Sequence, residues 1–200
     1  DEAETPRCEA WNPSQRRGES PVAHNGVGLH AYDALEPFVS RDTMTFHHDV
    51  LHANYVAALN RGGLTPEAYE YNLGGNVLHS LLWPTLSPVG GGRPVGELAR
   101  MVDRDFGDLT HLRNTMIGAA LACQGSGWAL LSSHGGRLIV EVAHNHGTRA
   151  QWGRALLPLD VWEHAYYLDR GPNRRAWCEA FFDRLVDWRV VGARASMRRG

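Results

Sequence analysis

The sequence predicts an α+β protein, with an N-terminal α-helical hairpin domain and a C-terminal α/β domain built on a three-stranded antiparallel sheet. Three observations predict it. Helical periodicity dominates residues 41 to 123. The texture then changes to three short apolar segments set off by Gly or Pro, GSGWALLSS, GRLIVEVAHNH and ALLPLDVW. Finally RRAWCEAFFDRLVDWRVV returns to an amphipathic helical pattern. The 200 residues, 43% of them hydrophobic, suit one large domain or two small ones sharing a core. We divide the chain into an extension at 1–27, a helical hairpin domain at 28–90 and a C-terminal α+β domain at 91–200.

Residues 1–27 are polar, rich in Pro and Gly, and without periodicity, so they read as an extension that is mobile or draped over the domain. A first helix is expected from Ser40 or Asp42 through TMTFHHDVLHANYVAALN, with Gly62 and Gly63 ending it. On it His47, Leu51 and Tyr55 share one face, and His48 and His52 a neighbouring one. TPEAYEYN reads as a short connection to a second helix, GGNVLHSLLWPTLSP, and VGGGRPVG as a linker. GELARMVDRDF and DLTHLRNTMIGAALAC are two further helices, the second with an apolar stripe of Leu109, Leu112, Met116 and Ala120. In the closing helix Trp177, Phe181, Leu185 and Trp188 face inward, ahead of a solvated Arg-rich tail.

Composition excludes several classes. A net charge of −2 and a pI near 6.6 supply no field for nucleic acid or an anionic membrane. No apolar run approaches the length of a bilayer span. All 20 basic residues are arginine, a bias we ascribe to a GC-rich genome. Cys8, Cys123 and Cys178 are too few and too scattered for a disulfide framework or a CxxC clip, which makes a reducing compartment the default. The expected location is the cytoplasm. The start at Asp1 rather than at a methionine would also suit a processed, secreted form.

The segment DVWEHAYY places Asp160, Glu163 and His164 among aromatic rings. Buried polar groups in such surroundings must be paired or bound. The chemical candidates are His47, His48, His52, His79, His144, His146, Asp160, Glu163 and His164. Imidazoles with one carboxylate and no thiolate suit Zn, Mn or Fe. His48 and His52 form an i,i+4 clip, a spacing that 11 histidines also produce by chance. His79 lies in an apolar run, and Asp160 with His164 is the strongest pair.

The blocks YDALEPFVS, HH-x3-H-x2-YV-x2-LN, HS-x2-W-x2-LSP, GGG-x-P-x-G-x-L, DFG, QGSGW and DVWEHAYYL follow one another in the order found in the iron/manganese superoxide dismutase family. From about Gly28 to Val190 the sequence resembles that family. The resemblance implies His47, His79, Asp160 and His164 as ligands of one Mn or Fe ion per subunit, and it excludes the His48–His52 clip. It implies dismutation of superoxide, with Tyr55 guarding the funnel and relaying protons. Trp128 and Trp162 would dry the cavity, while Trp83 is a hydrophobic wall in any reading. Glu163 would reach the partner's ligand in a homodimer, Tyr167 would lie at that interface, and Arg174 could steer an anion.

Three departures from the family pattern stand out. Leu51 occupies the position of a gateway histidine. His146 takes the manganese-type glutamine position, while Gly75 takes the iron-type one. As a histidine, His146 would titrate near neutral pH and give activity a steep pH dependence. The connection from Asn60 to His79 is also short, which favours a dimer over a tetramer. These changes surround the substrate channel, so the alternatives are a related metalloenzyme diverted to oxidising a small organic substrate, as an oxygenase or peroxidase, and a metal-binding structural protein.

Overall fold

The computed structural model describes residues 30–197; the extension assigned to residues 1–27, Cys8 included, lies outside them. The first helix, α1, runs through three joined segments, an α-helical Arg41–Thr45, a π-helical Phe46–His52 and an α-helical Ala53–Arg61. Ser40 starts it, its side chain accepting from the Thr43 amide. The π-helical segment has a wider turn than an α-helix, so side chains four apart lie at a different angle to one another than in an α-helix. The predicted faces are skewed accordingly. His47, His48 and His52 are all buried, whereas Leu51 is half-buried.

The second helix, α2, spans Pro66–Leu82 and leads into a 3-10 turn at Trp83–Thr85. TPEAYEYN is therefore helix, not connection. Thr65 accepts from the Ala68 amide and Pro66 occupies the first turn, where its missing N–H costs nothing. The double glycine read as the helix start lies mid-helix instead, because neighbours leave no room for side chains. A Cβ on Gly74 would sit 2.6 Å from the Trp152 ring, and one on Gly75 2.8 Å from the Tyr55 ring. α1 and α2 pack against each other as a hairpin.

Helices α3 (Gly96–Phe106) and α4 (Leu109–Ala122) follow, the latter capped by Asp108. Leu112, Met116 and Ala120 of the predicted stripe are buried, and Leu109 is partly so. The three strands are β1 (Gly127–His134), β2 (Arg137–His144) and β3 (Ala155–Asp160). They form an antiparallel sheet in the order β2-β1-β3. Gly135 and Gly136, both at positive φ, make the two-residue β1–β2 turn. A helix the sequence reading did not anticipate, α5 (Arg149–Arg154), is started by a capping box between Thr148 and Gln151. β3 is buried at all six positions because α2 packs on it together with the last helix of the chain.

After a 3-10 turn at Glu163–Ala165 come α6 (Tyr167–Arg170) and α7 (Arg174–Ala180), which continues as a π-helical Phe181–Leu185. The predicted single closing helix breaks here. Val186 bridges to Leu86, the Asp187 amide donates to the Thr85 carbonyl, and the Asp187 carboxylate accepts from the Arg189 amide to start α8 (Trp188–Met197). Trp177, Phe181, Leu185 and Trp188 are buried as expected. The tail is not simply solvated, since Arg194 donates to the carbonyls of Leu156 and Leu81 at 2.8 and 2.7 Å. One apolar core joins the halves, with Leu78, Leu82 and Trp83 in the same cluster as Leu130, Leu157 and Phe181.

Candidate metal centre

Four elements each bring one polar side chain to a common point. His47 comes from the π-helical part of α1, His79 from α2, Asp160 from the end of β3, and His164 from the following 3-10 turn. One candidate ligand atom from each lies within 4.8 Å of all the others. Asp160 Oδ2 is 3.1 Å from His47 Nε2, 3.3 Å from His164 Nε2 and 3.7 Å from His79 Nε2. His79 and Asp160 are fully buried, His47 is nearly so, and the His164 side chain is 12% exposed.

The surroundings fix these groups before any ion arrives. Asp160 pairs with Trp128 across the sheet, and its Oδ1 accepts from the Trp162 amide at 2.9 Å. The Trp177 indole N–H donates to the Asp160 carbonyl at 2.7 Å. His79 Nδ1 lies 2.7 Å from the Gly75 carbonyl, so it carries the proton and Nε2 presents a lone pair. That lone pair faces His47 Nε2 at 3.0 Å. Burial takes the His47 imidazole down to about 4, with the neighbouring His164 adding to the effect. Burial also holds His79 well below the usual range. For Asp160 burial pushes upward, but His164 and His47 outweigh it and keep the carboxyl far below ordinary values. Neutral His47 and His79 imidazoles beside a buried carboxylate are in the protonation state that a metal requires of such ligands. The donor set fits a hard or borderline cation such as Mn or Fe.

The rejected clip has other partners. The Trp83 indole N–H donates to His52 Nδ1 at 2.9 Å, which leaves His52 Nε2 to donate to Asn76 Oδ1 at 3.0 Å. His48 Nδ1 lies 2.9 Å from the Tyr32 hydroxyl and 2.8 Å from Asp49 Oδ1. His144 is exposed at the end of β2.

Residues 29–70 match the model of the iron/manganese superoxide dismutase alpha-hairpin domain, and residues 94–194 match that of the C-terminal domain. The chain is 41% identical to manganese superoxide dismutase 1 of Halobacterium salinarum, over 78% of this chain and 86% of that protein. The chain belongs to the iron/manganese superoxide dismutase family. The manganese superoxide dismutase of Pseudomonas aeruginosa is 39% identical over 82% of this chain and 93% of its own. The iron superoxide dismutase of Methanothermobacter thermautotrophicus is 36% identical over 82% and 89%.

In this member of the superoxide dismutase family an aromatic layer covers the cluster. The His146 ring stacks on Trp162 at 4.8 Å and meets the Tyr55 ring edge-on at 4.9 Å. The Trp128 indole donates to His146 Nδ1 at 3.3 Å, while His146 Nε2 is buried without a protein partner. Burial takes His146 down to about 4, which corrects the expectation that it titrates near neutrality. Trp128 and Trp83 pack against His79, at 5.0 and 5.7 Å between ring centres. Burial, followed by the Tyr71 phenol, raises the Tyr55 hydroxyl beyond its ordinary range.

Glu163, next to His164 in the 3-10 turn, and Tyr167 are exposed. Arg174 is spent on internal bonds, to the Tyr166 hydroxyl and to the carbonyls of Cys123 and Gly125. Cys123 and Cys178 are buried free thiols, with Cys178 pushed up to about 12 by burial. No helix among the described residues is long and apolar enough to cross a membrane. Sequence reasoning overlooked Trp152, Asn76 and Tyr71. The available signal was the double glycine inside a helix, which marks a close approach by large rings.

Proposed function

We propose that this protein is a superoxide dismutase, converting two superoxide anions and two protons into dioxygen and hydrogen peroxide. The observation that carries this reading is the buried convergence of three imidazoles and one carboxylate in a chain of this family. His47, His79, Asp160 and His164 would hold one Mn or Fe ion. Bound there, the ion supplies the one-electron chemistry, alternating between two oxidation states.

The rest of the reading concerns what this chain does around the ion. Asp160, ionised and pinned by Trp162, offsets part of the metal charge and holds His47 and His164 in place. His146, with its Nδ1 accepting from Trp128, must carry its proton on Nε2, where it can donate to a bound solvent or to substrate. Tyr55 shields the His79 face and passes protons inward. Trp128, Trp162 and Trp83 exclude bulk water. The oxidation of an organic substrate has no support in this arrangement, because Tyr55 packs into the space above Gly75 and the ligand histidines are almost inaccessible.

A homodimer belongs to the same reading. Phe46, Val50, Tyr167 and Leu168 are large exposed apolar side chains, and the Ser40 amide donates to Asp169, which ties the start of α1 to α6. Glu163 lies in the 3-10 turn just ahead of α6 and is also exposed. Superoxide turnover per bound metal, measured on protein loaded separately with Mn and with Fe, tests the proposal. Fast turnover with at least one metal is expected. Stoichiometric loading with negligible turnover by both would refute it.

A further inference from the structure

One exposed phenol stands next to the site without a role in the reading above. On α2, Tyr71, Gly75 and His79 recur every four residues and share a face. The Tyr55 ring fills the gap at Gly75, where a Cβ would come within 2.8 Å of it. Tyr71 borders the outer side of that gap. Its ring lies 4.7 Å from the His146 ring and 5.9 Å from the Tyr55 ring, tilted 58° and 72°. Exposure falls along this line from Tyr71 at 41%, through half-buried Tyr55, to fully buried His79. After burial, the neighbouring Tyr71 phenol is what raises the Tyr55 hydroxyl. On its own helix, Tyr55 has the apolar Leu51 four residues before it, a side chain with no polar atom to offer.

We propose that Tyr71 is a positioning residue for Tyr55, and the outer half of a two-phenol proton path. Its hydroxyl holds the Tyr55 hydroxyl in line with the site. When Tyr55 gives a proton inward to the nascent peroxide, Tyr71 gives its proton to Tyr55 and recovers one from bulk water, so each phenol ends the cycle neutral. This inference rests on the dismutase reading, because superoxide reduction consumes two protons at a site closed to bulk water. A single tyrosine behind a glycine gap needs a second donor to be reloaded.

The test is Tyr71→Phe, which keeps the ring and removes only the hydroxyl, compared with Tyr55→Phe and the double variant. Tyr71→Phe should lower kcat roughly tenfold, less than the 10²–10⁴ attributable to a direct proton donor. It should leave kcat/KM and metal content unchanged and raise the solvent deuterium isotope effect on kcat. In a Tyr55→Phe background the second change should do nothing further. In metal-free protein, Tyr71→Phe should shift and broaden the Tyr55 ring resonances in an NMR spectrum. A kcat equal to that of the parent, or additive losses in the double variant, would overturn the relay. Unchanged Tyr55 resonances would overturn the positioning role. If the parent protein itself turns over no superoxide with either metal, the dismutase reading fails instead, and the NMR result still decides whether Tyr71 positions Tyr55.

Discussion

The inner cluster draws its four side chains from four different elements spread over residues 47 to 164, whereas the gap that admits its aromatic cover is a local feature of α2, the adjacent Gly74 and Gly75. The cluster depends on the fold as a whole, because moving any one element by an ångström separates the ligand atoms. The cover depends on local volume: two absent side chains in a helix admit the Tyr55 and Trp152 rings. A site of this kind can keep its ligands while its entrance varies. Leu51, Gly75 and His146, the three positions at which the sequence reading has this chain depart from the family pattern, all lie outside the candidate ligand set.

That contrast can be broken at its strongest point first. His79→Ala removes one proposed ligand and leaves the Gly75 carbonyl without its donor. Metal content measured by mass spectrometry should fall from stoichiometric to background, and retained metal would refute the ligand assignment. Acid is the next probe. Between pH 6.5 and about 4 the unfolded chain takes up protons at His47 and His146 that the folded, metal-free protein refuses. Their contribution is therefore complete above pH 6.5 and is lost as pH falls through that window, at roughly 3 kcal/mol for each group. Denaturant titrations of metal-free protein should show this slope. Activity of the loaded enzyme should show no His146-linked step between pH 6 and 9, and a step there would contradict its burial.

The cover yields smaller effects. Gly75→Gln forces a side chain into the Tyr55 ring and should cost about 1–3 kcal/mol of stability. Turnover should fall while metal content stays, and a fully active, equally stable variant would show that the gap is not needed. Trp83→Phe removes the indole donor to His52 and should cost about 1–2 kcal/mol in thermal unfolding.

Much of this was legible in the sequence, and the exceptions have physical causes. The helices at Gly96–Phe106 and Leu109–Ala122 and all three strands were readable because periodicity and flanking Gly or Asp agreed with the fold. The four converging residues were readable as a set only through the family pattern. Spacing offered His48 and His52 as well as Asp160 with His164, and the partners of His48 and His52 are Tyr32, Asp49, Asn76 and Trp83. The start of α2 was misplaced because glycines normally punctuate helices, and here they serve tertiary packing. The closing helix broke at Val186 because that residue and Asp187 pair with Leu86 and Thr85, 100 residues away or more, a contact invisible to local patterns. His146 could be located but not its environment, since burial by Trp128, Trp162 and Tyr55 is what moves its titration.

The most direct test of the central claim is anomalous diffraction at the Mn and Fe absorption edges from crystals of the metal-loaded protein. One peak per chain, within bonding distance of His47, His79, Asp160 and His164 together, is the result expected. A peak elsewhere, or an ion that leaves any of the four unbonded, would contradict the account.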